Sequence, residues 1–322
     1  MKKKVIVKRI IEVILIIAAV YLIFFGYIVF TLRNNRNTIK IGDYKLMAFN
    51  FENAIIVEYT GSKKKLKIPR KILFWEVTEI SREACKGNDK IETVFIPNTV
   101  KTLGADVFRG CSSLKEVYIE DGGELTKISG GAFMECENLE ELHLPEGITE
   151  IGNSAFYNDK MLYKVVIPAT VEDISTSAFE NCYYLEEVQF DGDTFERGVW
   201  DNAFYGTRWL MNSGDLVQIG TYLYMYKGSE DTLIIPDGIT GGRTSNYNAK
   251  IICYPSTYSF TIHELNVVED DITIMFADED IHYFDEIEYY SNDEAYVTVV
   301  ATPNSTVWYD AIAHGLKVIE KG

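Results

Sequence analysis

Residues that carry chemistry are scarce in this chain. It has four histidines and five cysteines in 322 residues, and none falls into a ligand or nucleophile pattern. His143, His263, His282 and His314 stand far apart, so no His-Glu-x-x-His zinc motif forms. No Cys-x-x-Cys pair exists, which removes the common zinc and redox readings. A nucleophile elbow, a phosphate-cradling loop and an EF-hand loop are also missing. No catalytic, cofactor-binding or metal-binding residue is assigned, and the chain reads as a non-enzyme. Positive charge is short too: 31 Lys and Arg face 48 Asp and Glu, a net of −17. The deficit lies beyond residue 40, where 23 basic and 47 acidic residues give −24. Such a balance argues against nucleic acid as a partner and against lying on anionic lipid. The chain does not lack aromatics, with 21 Tyr and 17 Phe, and a disordered chain would.

One long apolar run is present. Residues 13–32 read VILIIAAVYLIFFGYIVFTL. As a helix, twenty such residues span roughly 30 Å, the thickness of a bilayer core. The run is longer than the apolar core of a signal peptide, and it ends without an Ala-x-Ala cleavage pattern. It therefore reads as a retained transmembrane helix. Lys2, Lys3, Lys4, Lys8 and Arg9 precede it, and the positive-inside bias puts residues 1–12 in the cytoplasm and the rest of the chain outside. A polar tether from Arg33 to about Lys45 reaches at most roughly 45 Å.

Beyond the tether a pattern repeats. Its anchors are Ala84-Cys85, Val107-Phe108, Ala132-Phe133, Ala155-Phe156, Ala178-Phe179 and Ala203-Phe204, at spacings of 23 to 25 residues. Six positions after each anchor stands Ile91, Leu114, Leu139, Leu162, Leu185 or Leu210. Val94, Val117, Leu142, Val165 and Val188 follow, each with an apolar residue two further on (Ile96, Ile119, Leu144, Ile167, Phe190). That alternation predicts a short strand with one buried face. Five residues before each anchor sits Ile80, Leu103, Ile128, Ile151, Ile174 or Val199, and Ser or Gly usually follows it. The small residue suits a turn or N-cap opening a short helical piece. A coil of this kind buries its apolar face only against copies of itself, so the units must stack and the end units must differ.

The runs Val94–Leu114, Leu142–Phe156 and Val165–Leu185 resemble the BspA-type leucine-rich repeat of bacterial and protozoan surface proteins. The resemblance implies an α/β, strand-rich leucine-rich-repeat solenoid. The expected organisation is a basic tail (1–12), a transmembrane helix (13–32), a tether and the start of an N-terminal cap (33–50), and repeats (51–210). A linking hairpin with degenerate strand-rich coils (211–300) and a helix–strand closing unit (301–322) complete it. Trp209–Thr240 resembles the segment that links such repeats, and Thr302–Gly322 resembles their closing unit.

Cys111, Cys136 and Cys182 share one column, three residues after the anchor. Columnar cysteines in a stack read as small buried hydrophobes. A Cys111–Cys136 bridge stays open, because an extracytoplasmic location permits disulfides. Tyr222, Tyr224 and Tyr226 alternate on an expected strand and read as structural, although a shared face would also suit sugar stacking. The acidic run 269–286 lacks calcium-loop spacing and reads as a solvated face.

A binding surface is expected where strand residues point outward. One outward column is Phe95, Tyr118, His143, Val166, Gln189; another is Glu92, Lys115, Glu140, Tyr163, Glu186. Phe95, Tyr118, His143 and Tyr163 are the candidate contact residues, since exposed aromatics make good anchors at interfaces. The expected partner is a protein or cell-envelope component. The competing readings are an adhesin for host matrix or mucin glycoprotein, by family analogy alone, and an enzyme or enzyme subunit.

Overall fold

A computed structural model describes residues 38–48, 52–192, 198–200, 202–230, 232–236, 239, 241–242, 251–254, 261–262, 272–276, 297–313 and 317–320. Residues 13–32 and the acidic run 269–286 lie outside the described residues, except 272–276. Among the described residues no helix is long and apolar enough to cross a membrane.

The chain enters through β1 (Ile39–Ile41), β2 (Tyr44–Ala48) and β3 (Asn53–Tyr59), an antiparallel cap. The coils follow. Their strands are β4 (Lys65–Lys67), β5 (Lys71–Ile72), β6 (Trp75–Ile80), β7 (Thr93–Ile96), β8 (Thr102–Leu103), β9 (Glu116–Ile119) and β10 (Lys127–Ile128). They continue as β11 (Glu141–His143), β12 (Glu150–Ile151), β13 (Lys164–Ile167), β14 (Asp173–Ile174), β15 (Glu187–Phe190) and β16 (Gly198–Val199). After α1 (Arg208–Asn212), a hairpin of β17 (Leu216–Ile219) and β18 (Tyr222–Tyr226) breaks the pattern. Then come β19 (Thr232–Ile234), β20 (Gly241–Gly242), β21 (Ile251–Tyr254), β22 (Thr261–Ile262), β23 (Ile272–Phe276), β24 (Val297–Ala301), α2 (Thr306–Ala313) and β25 (Lys317–Glu320).

Each coil has three sides. One carries the four-residue strand, and these strands run parallel in the order β4, β7, β9, β11, then β13 with β15. Register is strict, so that Val94 lies on Val117 and Phe95 on Tyr118. The second side carries a two-residue strand. There Ile128, Ile151, Ile174 and Val199 align. At Gly104, the position after β8, the absence of a side chain has a steric reason: a Cβ there would lie 2.2 Å from the Arg82 nitrogen in the coil below.

The third side carries the anchor, and here the expected helical piece is replaced by a run of turns. Two columns of left-handed residues flank the anchor. Glu83, Asp106, Gly131, Ser154, Ser177 and Asn202 precede it by two and have φ between 54 and 64°. Gly87, Gly110, Glu135, Asn158, Asn181 and Gly206 follow it by two, with φ between 61 and 77°. A right-handed helix cannot pass through two such residues per turn. The backbone hydrogen bonds divide accordingly. The N–H groups of Asp106, Phe108 and Gly110 donate to the next coil, while those of Arg109 and Cys111 donate three residues back within their own. The anchor side is thus a third ladder between coils, which an i to i−4 helix would forfeit.

Inside, Phe108, Phe133, Phe156, Phe179 and Phe204 form one stack, each wholly buried. Their ring centroids are 5.1–5.4 Å apart and their planes lie within 8° of parallel. Cys85 continues the column at the N-terminal end. Tyr59 precedes it: its N–H donates to Ala84 as that of Cys85 donates to Val107. At the other end Trp209 and Tyr224 close on Phe204, the latter edge-on. Tyr222, Tyr224 and Tyr226 are all buried, and the Tyr224 hydroxyl accepts the Phe204 N–H at 3.2 Å. These tyrosines are a lid on the stack, not a sugar platform.

Cys85, Cys111, Cys136 and Cys182 are free and buried, so Cys111 and Cys136 are not bridged. Each thiol of the column donates to an anchor carbonyl one coil back: Cys111 to Cys85, Cys136 to Phe108, and Cys182 to Phe156, at 3.0–3.2 Å. The fourth coil places Asp159 in this column. Its Oδ1 accepts the Cys136 N–H at 2.8 Å, while its buried Oδ2 has no partner among the described residues. Burial holds this carboxyl well above the usual carboxylate range, which favours the neutral acid.

Candidate functional site

The candidate surface is the outer face of the four-residue strands. Because strand side chains alternate, burying Val94 and Val117 turns Phe95 and Tyr118 outward. The parallel register then lays Phe95, Tyr118 and His143 side by side. Phe95 and Tyr118 stack with centroids 5.2 Å apart and planes 10° from parallel. Tyr118 and His143 stack at 4.8 Å and 11°. The result is a three-ring ribbon along the coil axis whose faces are largely taken up by one another and whose rims meet solvent. Tyr118 is 41 % exposed. The ribbon has polar handles: the Tyr118 hydroxyl, and the His143 Nε2, which lies 3.6 Å from Asp121 Oδ2. Exposed Glu116 and Glu141 border it on the adjacent column. In the next two coils the column continues as Val166 and Gln189, so the ribbon ends at His143.

The structure separates Tyr163 from this ribbon. It belongs to a second group, at the corner where coils turn into their strands. Met161, Tyr163, Tyr183, Tyr184 and Met211 are all exposed there, at 40–57 %. Tyr183 and Tyr184 meet edge to face at 5.2 Å. The Arg208 guanidinium lies over both rings, 5.2 and 4.5 Å from their centroids, and pairs with Glu186 at 2.6 Å. Glu186 and Glu187 raise the Tyr163 hydroxyl above its ordinary value by their charge. Tyr183, Tyr184 and Arg208 were not among the residues expected from sequence. The signal was present in the columns four and five after the anchor. Asp89-Lys90, Ser112-Ser113 and Glu137-Asn138 hold no aromatic residue, while Tyr183-Tyr184 and Arg208-Trp209 do.

Where the strand ladder stops at β15, an open groove of about 570 Å³ lies between it and the hairpin. Val188, Phe190, Asp191, Trp209, Gln218 and Ile219 line it, with two glycines. Asp191 is its one ionisable lining residue and accepts from the Gln189 side chain at 2.7 Å. No cluster of three metal-ligating side chains occurs among the described residues. Desolvation raises the thiols of Cys85, Cys136 and Cys182 well above their ordinary value and that of Cys111 to about 12. These thiols pack the interior and are poor nucleophiles, since the thiolate is the reactive form.

Residues 78–210 match the family model described as a BspA type leucine rich repeat region, in six copies. No curated protein matches the chain. Among solved structures, the chain is similar to a leucine-rich cell surface protein from Faecalibacterium prausnitzii. The identity is 19 %, covering 89 % of this chain and 96 % of that one, with a TM-score of 0.50. At that identity the likeness speaks to the fold. A leucine-rich repeat protein from Bacteroides ovatus is 16 % identical over 88 % of this chain and all of its own, with a TM-score of 0.47. The T. pallidum leucine-rich repeat protein is 20 % identical over 54 % of this chain and 99 % of its own, with a TM-score of 0.43.

Proposed function

Because residues 78–210 are a BspA-type leucine-rich repeat region, we propose that the protein is a non-catalytic binding protein of the cell envelope. In this reading residues 13–32 hold it in the cell membrane, with the N-terminus cytoplasmic and the repeats outside. The surface that meets its partner is the ribbon of Phe95, Tyr118 and His143. The single observation behind this choice is the stack itself: three aromatic side chains held in register on an exposed strand face. Ordered rings lose little entropy on binding, which favours them as contact anchors. The partner is a protein more readily than a glycan. Sugars pack on ring faces, and the ribbon spends its faces internally while offering rims and two polar handles. The same geometry weakens the alternative of a mucin-binding adhesin.

The test is site-specific photo-cross-linking in cells that express the full chain. A photoreactive residue replaces Tyr118 in one strain and Lys86, exposed on the turn side, in another. The reading expects a discrete adduct from position 118 and none from position 86. Equal adducts from both positions, or adducts from 86 alone, contradict it. The location is tested separately: the full chain must stay in the membrane pellet after alkaline carbonate. Release into the supernatant would end the anchor reading without touching the ribbon.

A further inference from the structure

The first coil reverses the charge of the rest of the molecule. Between positions 63 and 71 stand Lys63, Lys64, Lys65, Lys67, Arg70 and Lys71, with no acidic residue among them. All six are exposed, in a chain that is otherwise strongly acidic beyond residue 40. Glu92 pairs with Lys64 at 2.7 Å and Glu120 with Arg70 at 2.6 Å. Glu76 stands opposite Lys71 in the register of β5 and β6. Lys63, Lys65, Lys67 and Lys71 have no carboxylate within ion-pair distance among the described residues. Edge strands carry lysines to discourage pairing with other chains, and β4 is the edge of its ladder. That accounts for Lys65 and Lys67, which lie on β4. It leaves unexplained Lys63 and Lys71, which lie outside β4 and have no such pair.

Position supplies the explanation. The outer edge of β4 is the N-terminal end of the stack. The β1–β2 hairpin, with exposed Lys40, lies beyond β3 and β6 toward that same end. The described structure already forms strand at Ile39, so the tether is shorter than the stretch to Lys45 expected from sequence. Only residues 33–38 separate the apolar run from β1, a covalent reach of at most about 20 Å. Charges act over about 10 Å at ordinary salt. A linker this short keeps the cationic end near the bilayer and allows it to come within that range when the chain is anchored through 13–32.

We propose that this end of the solenoid docks onto the anionic phosphate headgroups of the membrane that anchors it. The stack then stands on the bilayer by its first coil, with the ribbon held at a set height above the surface. Net charge conceals this, because most acidic residues lie further along the coils; the cap itself carries Asp43, Glu52 and Glu58 beside Lys40 and Lys45. The inference rests on the reading that residues 13–32 span the membrane.

The experiment uses the full chain in liposomes of phosphatidylcholine alone or mixed with phosphatidylglycerol. A fluorophore sits on Ser62→Cys, exposed beside the cluster, and a quencher is carried on lipid headgroups. Quenching several-fold stronger in the anionic liposomes is expected. It should be lost at high salt and in a K63Q/K65Q/K67Q/K71Q variant that melts like the parent and still resists carbonate extraction. Equal quenching in both lipids, or quenching that survives in the variant, overturns the proposal. A response to soluble polyphosphate without one to the anionic bilayer overturns it too, and would assign the cluster to a free polyanion. Carbonate extraction of the parent from both liposomes would instead mark the failure of the spanning reading.

Discussion

The coils that begin at Val107 and those that end at Leu210 share an interior and differ outside. Inside, Phe108 and Phe204 are ends of one unbroken ring stack, and the aliphatic columns beside it are buried except for the half-buried Leu142 and Val188. Outside, the aromatic ribbon covers the early coils and stops at His143, while the corner becomes aromatic only from Tyr163 onward. An interior position meets its own copy above and below, so a change there is felt in three coils at once. A surface position meets mainly solvent and is free to differ. Whatever distinguishes this solenoid from another with the same interior is written on the outer columns. Each prediction below sets one side of that contrast against the other.

The largest effect is expected at the middle of the stack. Phe156→Ala removes a ring packed between Phe133 and Phe179 and should cost about 3–5 kcal/mol, read as a lower urea midpoint. A cost below 1 kcal/mol would mean the rings do not hold the coils together.

The next effect has the opposite sign. Asp159 has its folded-state value raised by burial, so it supports the fold fully below the ordinary carboxylate range, near 4. That support is lost as pH rises from there through the raised folded value. Asp159→Asn keeps the acceptor for Cys136 and offers an N–H in place of the acid proton. At pH 7 it should gain about 1–3 kcal/mol, because a neutral amide is buried without the cost of protonating a carboxylate or burying its charge. Urea titrations of both proteins at pH 4 and pH 7 check this, and an equal gap at the two values would refute it.

Surface changes should cost less. Arg208→Ala removes a guanidinium from two exposed rings and from Glu186, and should lower the melting temperature only slightly. Tyr118→Ala, further out still, should change stability by no more than about 0.5 kcal/mol while reducing partner binding. A melting shift larger than that of Arg208→Ala would make the ribbon structural.

Much of the interior was legible in the sequence because identical contacts demand similar residues at a fixed spacing. The Phe anchors and the columns of Ile80, Ile91 and Val94 all lie where the pattern puts them. The turn side was not read correctly. Asp106, Ser154, Asn158 and Asn202 have small polar side chains that suit left-handed backbone, yet the same residues also suit helix caps. Only the ladder of hydrogen bonds between coils decides between the two. Tyr59 was missed as the first residue of the anchor column because it arrives from a cap strand. The ribbon was legible as a column of outward residues, but the grouping of Tyr163 was not. Tyr163 meets Glu186, which also pairs with Arg208, and only the stacking of coils brings these together.

The claim that the inner columns make the fold and the ribbon makes the contact has one direct test. A photoreactive residue at exposed Glu116, beside the ribbon, is combined with Tyr118→Ala and His143→Ala, and the melting temperature is measured in parallel. The account predicts that the adduct formed by the otherwise unaltered chain disappears while melting shifts by no more than about 4 °C. An undiminished adduct with the two rings removed would contradict it.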